Sequence, residues 1–282
     1  MNLTNISTVK DILSRYGFNF SKGLGQNFLI NPDVCPKIAE MGNAREGYGV
    51  LEIGTGIGVL TKELALRAEK VSAVEIDTRL MPVLEETLKD FDNIKIYNED
   101  VMKADLHKII SEDFAGLRTA VCANLPYYIT SPVIMLLLES NLPIDSITVM
   151  VQKEAAQRLC AKVGSRESGA ITVGVNYYGT VKQLFGVSRG SFMPSPNVDS
   201  AVIRIDLDKE RRLSGDEEKF FFRMVKAGFS QRRKTFANSL SSMLGIAKDD
   251  VYSALSDLGI SQSVRVEALT MDELTAVARK LM

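Results

Sequence analysis

Apolar positions fall into two interleaved patterns. Val50-Leu51-Glu52-Ile53, Val71-Ser72-Ala73-Val74-Glu75-Ile76, Ile94-Lys95-Ile96-Tyr97, Thr119-Ala120-Val121-Cys122-Ala123 and Ile147-Thr148-Val149-Met150-Val151 are short runs of the kind that form buried strands. Between them apolar residues recur at helical spacing, as at Leu60, Leu64 and Ala68. Residues 7–16 read as a short helix ended by Gly17, and Asn31-Pro32 and Ser131-Pro132 each read as a cap followed by a first-turn proline. Strands alternating with helices predict an α/β, doubly wound, mostly parallel Rossmann-like sheet. After about 178 the pattern changes. Residues 181–187 and 201–205 read as a closing strand pair, joined through the stiff segment Phe192-Met193-Pro194-Ser195-Pro196. From 208 onward the pattern is helical only. The expected organisation is therefore a sheet domain over 1–207 and a small all-helical domain over 208–282.

Three strand ends carry candidate chemistry. The first strand runs into Gly54-Thr55-Gly56-Ile57-Gly58, whose glycines permit a tight turn and close approach of backbone to a ligand. Glu75 ends the second strand, where a carboxylate can accept both hydroxyls of a ribose. Asp100 closes the third, placed to accept from an adenine amine. In a parallel sheet these ends are neighbours at the carboxyl edge, where ligands bind. The turn is G-x-G-x-G, not the dinucleotide G-x-G-x-x-G, and alone it describes a tight strand–helix turn equally well. It holds no Lys or Arg for a pyrophosphate, and Glu52 precedes it. An acidic first strand suits a ligand with positive groups, so S-adenosylmethionine, with a sulfonium and an amine, fits better than NAD.

The fourth strand ends in Asn124-Leu125-Pro126-Tyr127. Pro126 stiffens this turn and lacks an N–H, which leaves carbonyls free. The Asn124 side-chain oxygen and the Leu125 or Pro126 carbonyl can together accept both N–H bonds of one exocyclic amine. Tyr127 offers a face to a flat heterocycle, and Tyr128 reads as core packing. The tetrapeptide is thus a cup for an aminated base.

Composition limits what surrounds this chemistry. With 45% hydrophobic and 24% charged residues the chain is globular, and no apolar run approaches bilayer length. The first residues lack a signal-peptide pattern. Three cysteines, far apart and odd in number, argue against a disulfide framework or a zinc site and fit a reducing cytoplasm. No metal is expected. His107, the only histidine, lies in a charged segment away from the motifs and reads as a surface residue. A net charge of −1 speaks against a nucleic-acid binder, but Lys219, Arg223, Lys226, Arg232, Arg233 and Lys234 crowd a stretch with no acidic residue. Such a run is a solvated helix face as readily as a binding surface.

Taken together, Gly25-Gln26-Asn27-Phe28-Leu29, Glu52 to Gly58, Asn124 to Tyr128, Phe192-Met193-Pro194-Ser195-Pro196-Asn197-Val198-Asp199-Ser200, Arg232-Arg233-Lys234-Thr235 and Arg265-Val266-Glu267-Ala268-Leu269 resemble the ribosomal RNA adenine dimethyltransferases nearly end to end. The resemblance implies a class I methyltransferase sheet using S-adenosylmethionine. It implies that Asn27, Leu29, Gly54, Gly56, Glu75, Asp100 and Asn124 line the cofactor site, with Gln26 supporting its lip. Asn124, Leu125, Pro126 and Tyr127 would hold the target adenine, with Phe192 on its other face. Arg223, Lys226, Arg232, Arg233 and Lys234 would contact RNA backbone. The implied partner is 16S rRNA in the assembling small ribosomal subunit, met in the cytoplasm by a monomer. The sequence departs from the family at Asn31, often an acid, at Thr55, often Pro, and at Ala237, often basic in the rRNA-binding helix.

Three other readings stay open on sequence. Related resistance enzymes methylate one adenine of 23S rRNA but are shorter and lack the 265–269 motif. DNA adenine methyltransferases more often carry Asp-Pro-Pro-Tyr at this turn. A non-catalytic RNA-binding assembly factor could keep the fold, although the intact glycine turn, Glu75, Asp100 and Asn124 speak against it.

Overall fold

Short apolar runs flanked by amphipathic segments leave the chain one way to bury both, a sheet with helices laid on it. The computed structural model describes residues 1–21 and 25–282. Its first compact unit comprises Met1–Ala156 and Lys182–Leu207. In chain order it carries α1 (Ile6–Arg15), β1 (Phe28–Leu29), α2 (Val34–Met41), β2 (Tyr48–Ile53), α3 (Val59–Ala65), β3 (Lys70–Val74), α4 (Met81–Thr87), β4 (Ile94–Tyr97), α5 (Leu106–Asp113), β5 (Arg118–Asn124), α6 (Thr130–Glu139) and β6 (Ser146–Gln152). There follow α7 (Lys153–Leu159), α8 (Ala170–Tyr178), β7 (Gly179–Val187), β8 (Phe192–Met193) and β9 (Ser200–Leu207). The main sheet has seven strands in the order β4-β3-β2-β5-β6-β9-β7. From β4 to β6 they are parallel, and β9 runs antiparallel to β6. The expected closing pair is therefore β9 with β7, as neighbours at one side of the sheet. β1 and β8 form a separate two-stranded pair that sets Leu29 opposite Phe192.

Local signals hold within a residue or two. α1 starts where Asn5 accepts the Thr8 N–H at 3.1 Å, and the chain turns away at Gly17. α2 begins at Val34, two residues beyond Pro32, because Asn31 spends its side-chain oxygen on the Asp33 N–H. One face of the sheet, through Val50, Val71, Cys122, Met150 and Val202, packs against the apolar sides of α1 to α4. Glu52 alternates with Val50 and so points to this same apolar face.

The second compact unit comprises Gln157–Val181 and Asp208–Met282. The sequence reading put its start at 208, whereas packing also assigns it α8, which adjoins α9 (Asp216–Ser230) and α12 (Met271–Lys280); α10 (Phe236–Leu244) and α11 (Lys248–Asp257) complete the unit. Its core includes an aromatic cluster in which Tyr177 lies 5.0 Å from Phe221 and Tyr178 stacks on Phe222 at 5.5 Å. Gly228 lets Val266 approach α9 so closely that a Cβ there would come within 2.7 Å of it. Ala237 is fully buried in α10, so this position faces the interior. No helix is long and apolar enough to cross a membrane, among the described residues.

Candidate active site

Parallel register brings the strand ends together. Ile53 lies beside Val74 on one side and Ala123 on the other, so the next residues, Gly54, Glu75 and Asn124, emerge side by side. The glycine turn needs its glycines: φ is +77° at Gly54, +55° at Gly56 and +88° at Gly58, a region closed to most side chains. At Gly56 a Cβ would also press to 3.2 Å from the Phe28 ring. This turn, residues 25–29, Glu75, Asp100, residues 124–129 and Phe192 enclose a cavity of about 360 Å³, within the range of small-ligand sites.

The glycine-turn side of the cavity is acidic. Glu75 is 6% exposed, one residue past β3. Its Oε2 accepts from Thr55 Oγ1 at 3.0 Å and from the Gly56 N–H at 3.2 Å, and its Oε1 accepts the Asp77 N–H at 2.9 Å. Burial raises its pKa, and these donors partly offset the rise. Thr55 thus gives Glu75 a donor that proline would lack. Glu52 is fully buried, and neither carboxyl oxygen has a hydrogen-bond partner among the described residues. Loss of solvent pushes its pKa to about 8; Thr61 tempers that rise without making a bond of normal geometry, and Glu75 adds to it. The buried Cys35 and Cys122 thiols are also pushed up, by burial first and then by Glu52. Asp100 lies three residues past β4 and accepts the Met102 N–H at 3.0 Å. No Lys or Arg lines the cavity among the described residues.

The lip is braced from outside. Gln26 accepts the Ser21 N–H at 2.9 Å and donates to Asp77 at 2.7 Å, so both ends of its amide are committed. The Arg79 guanidinium holds Asp77 below the usual carboxylate range. Asn27 donates to the Gly25 carbonyl at 3.0 Å, which leaves its oxygen toward other donors. Leu29 is buried and forms apolar wall.

On the other side, the tetrapeptide keeps its acceptors open selectively. The Pro126 carbonyl accepts the Ile129 N–H at 3.2 Å and Thr130 Oγ1 at 3.4 Å. Neither the Asn124 side-chain amide nor the Leu125 carbonyl receives a hydrogen bond among the described residues. The open pair is therefore Asn124 with Leu125, which narrows the choice that the sequence left between Leu125 and Pro126. Tyr127 lines the cavity and shares a 2.7 Å hydrogen bond with Ser200. Phe192, 3% exposed, lines the same cavity. Tyr128 corrects the expectation of core packing: it is 56% exposed and lies against Gly25 at the rim. Residues 127–129 form a turn of 3₁₀ helix, which sets adjacent side chains about 120° apart, so Tyr127 and Tyr128 diverge.

The structure thus gathers Gln26, Asn27, Leu29, Gly54, Gly56, Glu75, Asp100, Asn124, Leu125, Pro126, Tyr127 and Phe192 around one cavity. Arg223, Lys226, Arg232, Arg233 and Lys234 do not join it; all five are exposed on the helical unit. Arg232 donates to the Arg166 carbonyl at 2.8 Å, while the others form no ion pair among the described residues. His107 is exposed, and its Nε2 donates to the Ser140 carbonyl at 2.7 Å. No cluster of potential metal ligands occurs among the described residues. Two contributors escaped the sequence reading, Thr55 and Ser200, because their partners lie 20 and 73 residues away.

Known proteins bear on this arrangement. The family model "Ribosomal RNA adenine dimethylase" matches residues 17–281. A protein of Geobacillus sp. (strain WCH70) named ribosomal RNA small subunit methyltransferase A is 46% identical over 96% of this chain and 95% of its own length. The protein of that name from Geobacillus thermodenitrificans is 47% identical over 97% of this chain and 94% of its own. Among solved structures, the 23S rRNA methyltransferase ErmE superposes with a TM-score of 0.70 at 29% identity, covering 90% of this chain and 99% of its own. A Plasmodium falciparum dimethyladenosine transferase, at 24% identity and a TM-score of 0.72 over 89% of this chain and 95% of its own, shares the fold. The glycine turn, the acid-lined cavity and the turn at residues 124–127 all lie within the matched span, and the chain belongs to the ribosomal RNA adenine dimethylase family.

Proposed function

We propose that this protein dimethylates the N6 amines of two adjacent adenosines near the 3′ end of 16S rRNA during small-subunit assembly, using S-adenosylmethionine. The observation that carries the chemistry is the open pair of acceptors, Asn124 and the Leu125 carbonyl, at the wall of an acid-lined cavity. The residues suit that cofactor: an orphaned buried carboxyl at Glu52 answers a positive group, Glu75 and Asp100 answer hydroxyl and amine donors, and Gly54 and Gly56 leave room for backbone approach. When bound, it supplies a methyl group activated by sulfonium charge. Adenine N6 is a poor nucleophile because its lone pair is conjugated with the ring. Asn124 and Leu125 accept both N6 hydrogens, which draws the nitrogen toward a tetrahedral shape and frees the lone pair. Tyr127 and Phe192 hold the base, once it has left its stack, between aromatic faces. Alignment is most of the task. No general base is needed before transfer, since the proton leaves an amine that has already become cationic. A second round needs one acceptor and room for the first methyl.

The names of relatives at 46–47% identity, against 29% for the 23S enzyme, support the small subunit as the partner, and we place the encounter in the cytoplasm. One chain supplies the whole cavity, consistent with a monomer. The exposed Arg and Lys cluster would hold RNA backbone by charge and shape rather than by sequence. Mass mapping of methylated adenines in both rRNAs, with and without the protein, tests the assignment. We expect dimethyladenosine at two neighbouring 16S positions. Methylation of 23S rRNA alone, or none, overturns it.

A further inference from the structure

We infer that Ser200 is a positioning residue for the base cup: through its hydroxyl it fixes the Tyr127 ring relative to Asn124. The inference rests on the adenine reading of that cup. Ser200 is 1% exposed and opens β9, where it pairs with Gln152, the last residue of β6. Its Oγ lies 2.7 Å from the Tyr127 hydroxyl. Two residues earlier on β6, Met150 pairs with Asn124 and its carbonyl accepts the Leu125 N–H at 3.3 Å. Both ends of the tetrapeptide are therefore tied to the same three residues of one strand. Asn124 and Leu125 are tied directly through backbone, and Tyr127 through Ser200.

This closed circuit matters because it supplies the ring's one hydrogen bond among the described residues. Tyr127 sits on a turn of 3₁₀ helix, is only half-buried, and has no second hydrogen bond among the described residues. The adjacent Tyr128, which the 3₁₀ turn directs away from Tyr127, is 56% exposed. The segment that leads into Ser200 begins at Phe192, which β8 pins against Leu29. One stretch of chain thus carries the opposite wall at its start and the anchor of the near wall at its end. It sets the gap into which a flat base fits, and with it the aim of the amine at Asn124. A small misplacement of a bound reactant costs rate without costing binding.

The test is steady-state methylation of small subunits by the full-length protein, comparing wild type, Ser200→Ala, Tyr127→Phe, the double variant and Ser200→Thr. We expect kcat to fall about tenfold in each single variant and no further in the double, because both remove one bond. KM for S-adenosylmethionine should stay unchanged, and Ser200→Thr, which keeps the hydroxyl, should recover most of the rate. A wild-type kcat in Ser200→Ala, or losses that multiply in the double variant, overturns the tether. Should Ser200→Ala fail to fold, Tyr127→Phe removes the same bond from the other side, and an unchanged kcat there has the same force. A wild-type protein that makes no dimethyladenosine defeats the adenine reading instead, so the two failures are distinct.

Discussion

The two sides of the cavity handle charge in opposite ways. Beside the glycine turn stand three carboxyl groups, Glu52, Glu75 and Asp100, and the lining has no cation to answer them among the described residues. Beside the tetrapeptide the acceptors are an amide and a peptide carbonyl, and the Tyr127 phenol is kept protonated by burial. Both sides are rich in acceptors, but only one carries charge. The acidic side can favour a cationic ligand, while the neutral side can hold an amine without adding a further carboxylate to a desolvated space. A charged acceptor at 124 would have strengthened the grip on the amine at the expense of that balance.

Experiments can break this contrast at its neutral end first. Asn124→Ala should lower methyl transfer by roughly 10²–10³-fold, the usual loss for one preorganised polar group. S-adenosylmethionine binding, measured by calorimetry, should change only a few-fold. Wild-type turnover would remove the acceptor role. At the acidic end, Glu52→Gln should alter the pH dependence of stability. The Glu52 carboxyl titrates near 8 in the folded protein and in the ordinary carboxylate range when unfolded, so between those values the native state holds more protons. Its contribution is complete below the unfolded pKa and is lost as pH rises through the folded one, on the order of a few kcal/mol. The variant's Tm should therefore decline less between pH 5 and 8 (about that interval, set by the two pKa values), and parallel curves for both proteins would show that Glu52 is not the group responsible. The smallest effect is expected at charges exposed to solvent. Reversing Arg233 and Lys234 to Glu should weaken small-subunit binding several-fold and reduce its salt slope by roughly 1–2. An unchanged slope would mark that cluster as a solvated face.

Strand ends were legible because buried parallel strands are mostly apolar, and the polar residues that follow their last apolar positions mark the ligand edge. That logic found Glu75, Asp100 and Asn124 from one sequence. It could not find Ser200, whose role depends on β9 returning antiparallel beside β6. Nor could it tell that the Pro126 carbonyl is taken by Ile129 and Thr130, since that depends on how the chain turns after the proline. Tyr128 was misread because an aromatic beside Ile129 looks like core, whereas the periodicity of a 3₁₀ turn sends it outward. Residues 157–181 show helical and strand patterns that belong to either neighbour, and only the fit of Tyr177 and Tyr178 against α9 assigns the helix.

That last feature bears on how the molecule can be dissected. The chain passes between its two compact units at 156/157, 181/182 and 207/208, so no single cut yields both intact. A fragment starting at 208 would lack α8 and leave Phe221 and Phe222 without their tyrosine partners. The helical unit is not a detachable tail, and exchanging it between relatives requires moving two stretches of sequence together.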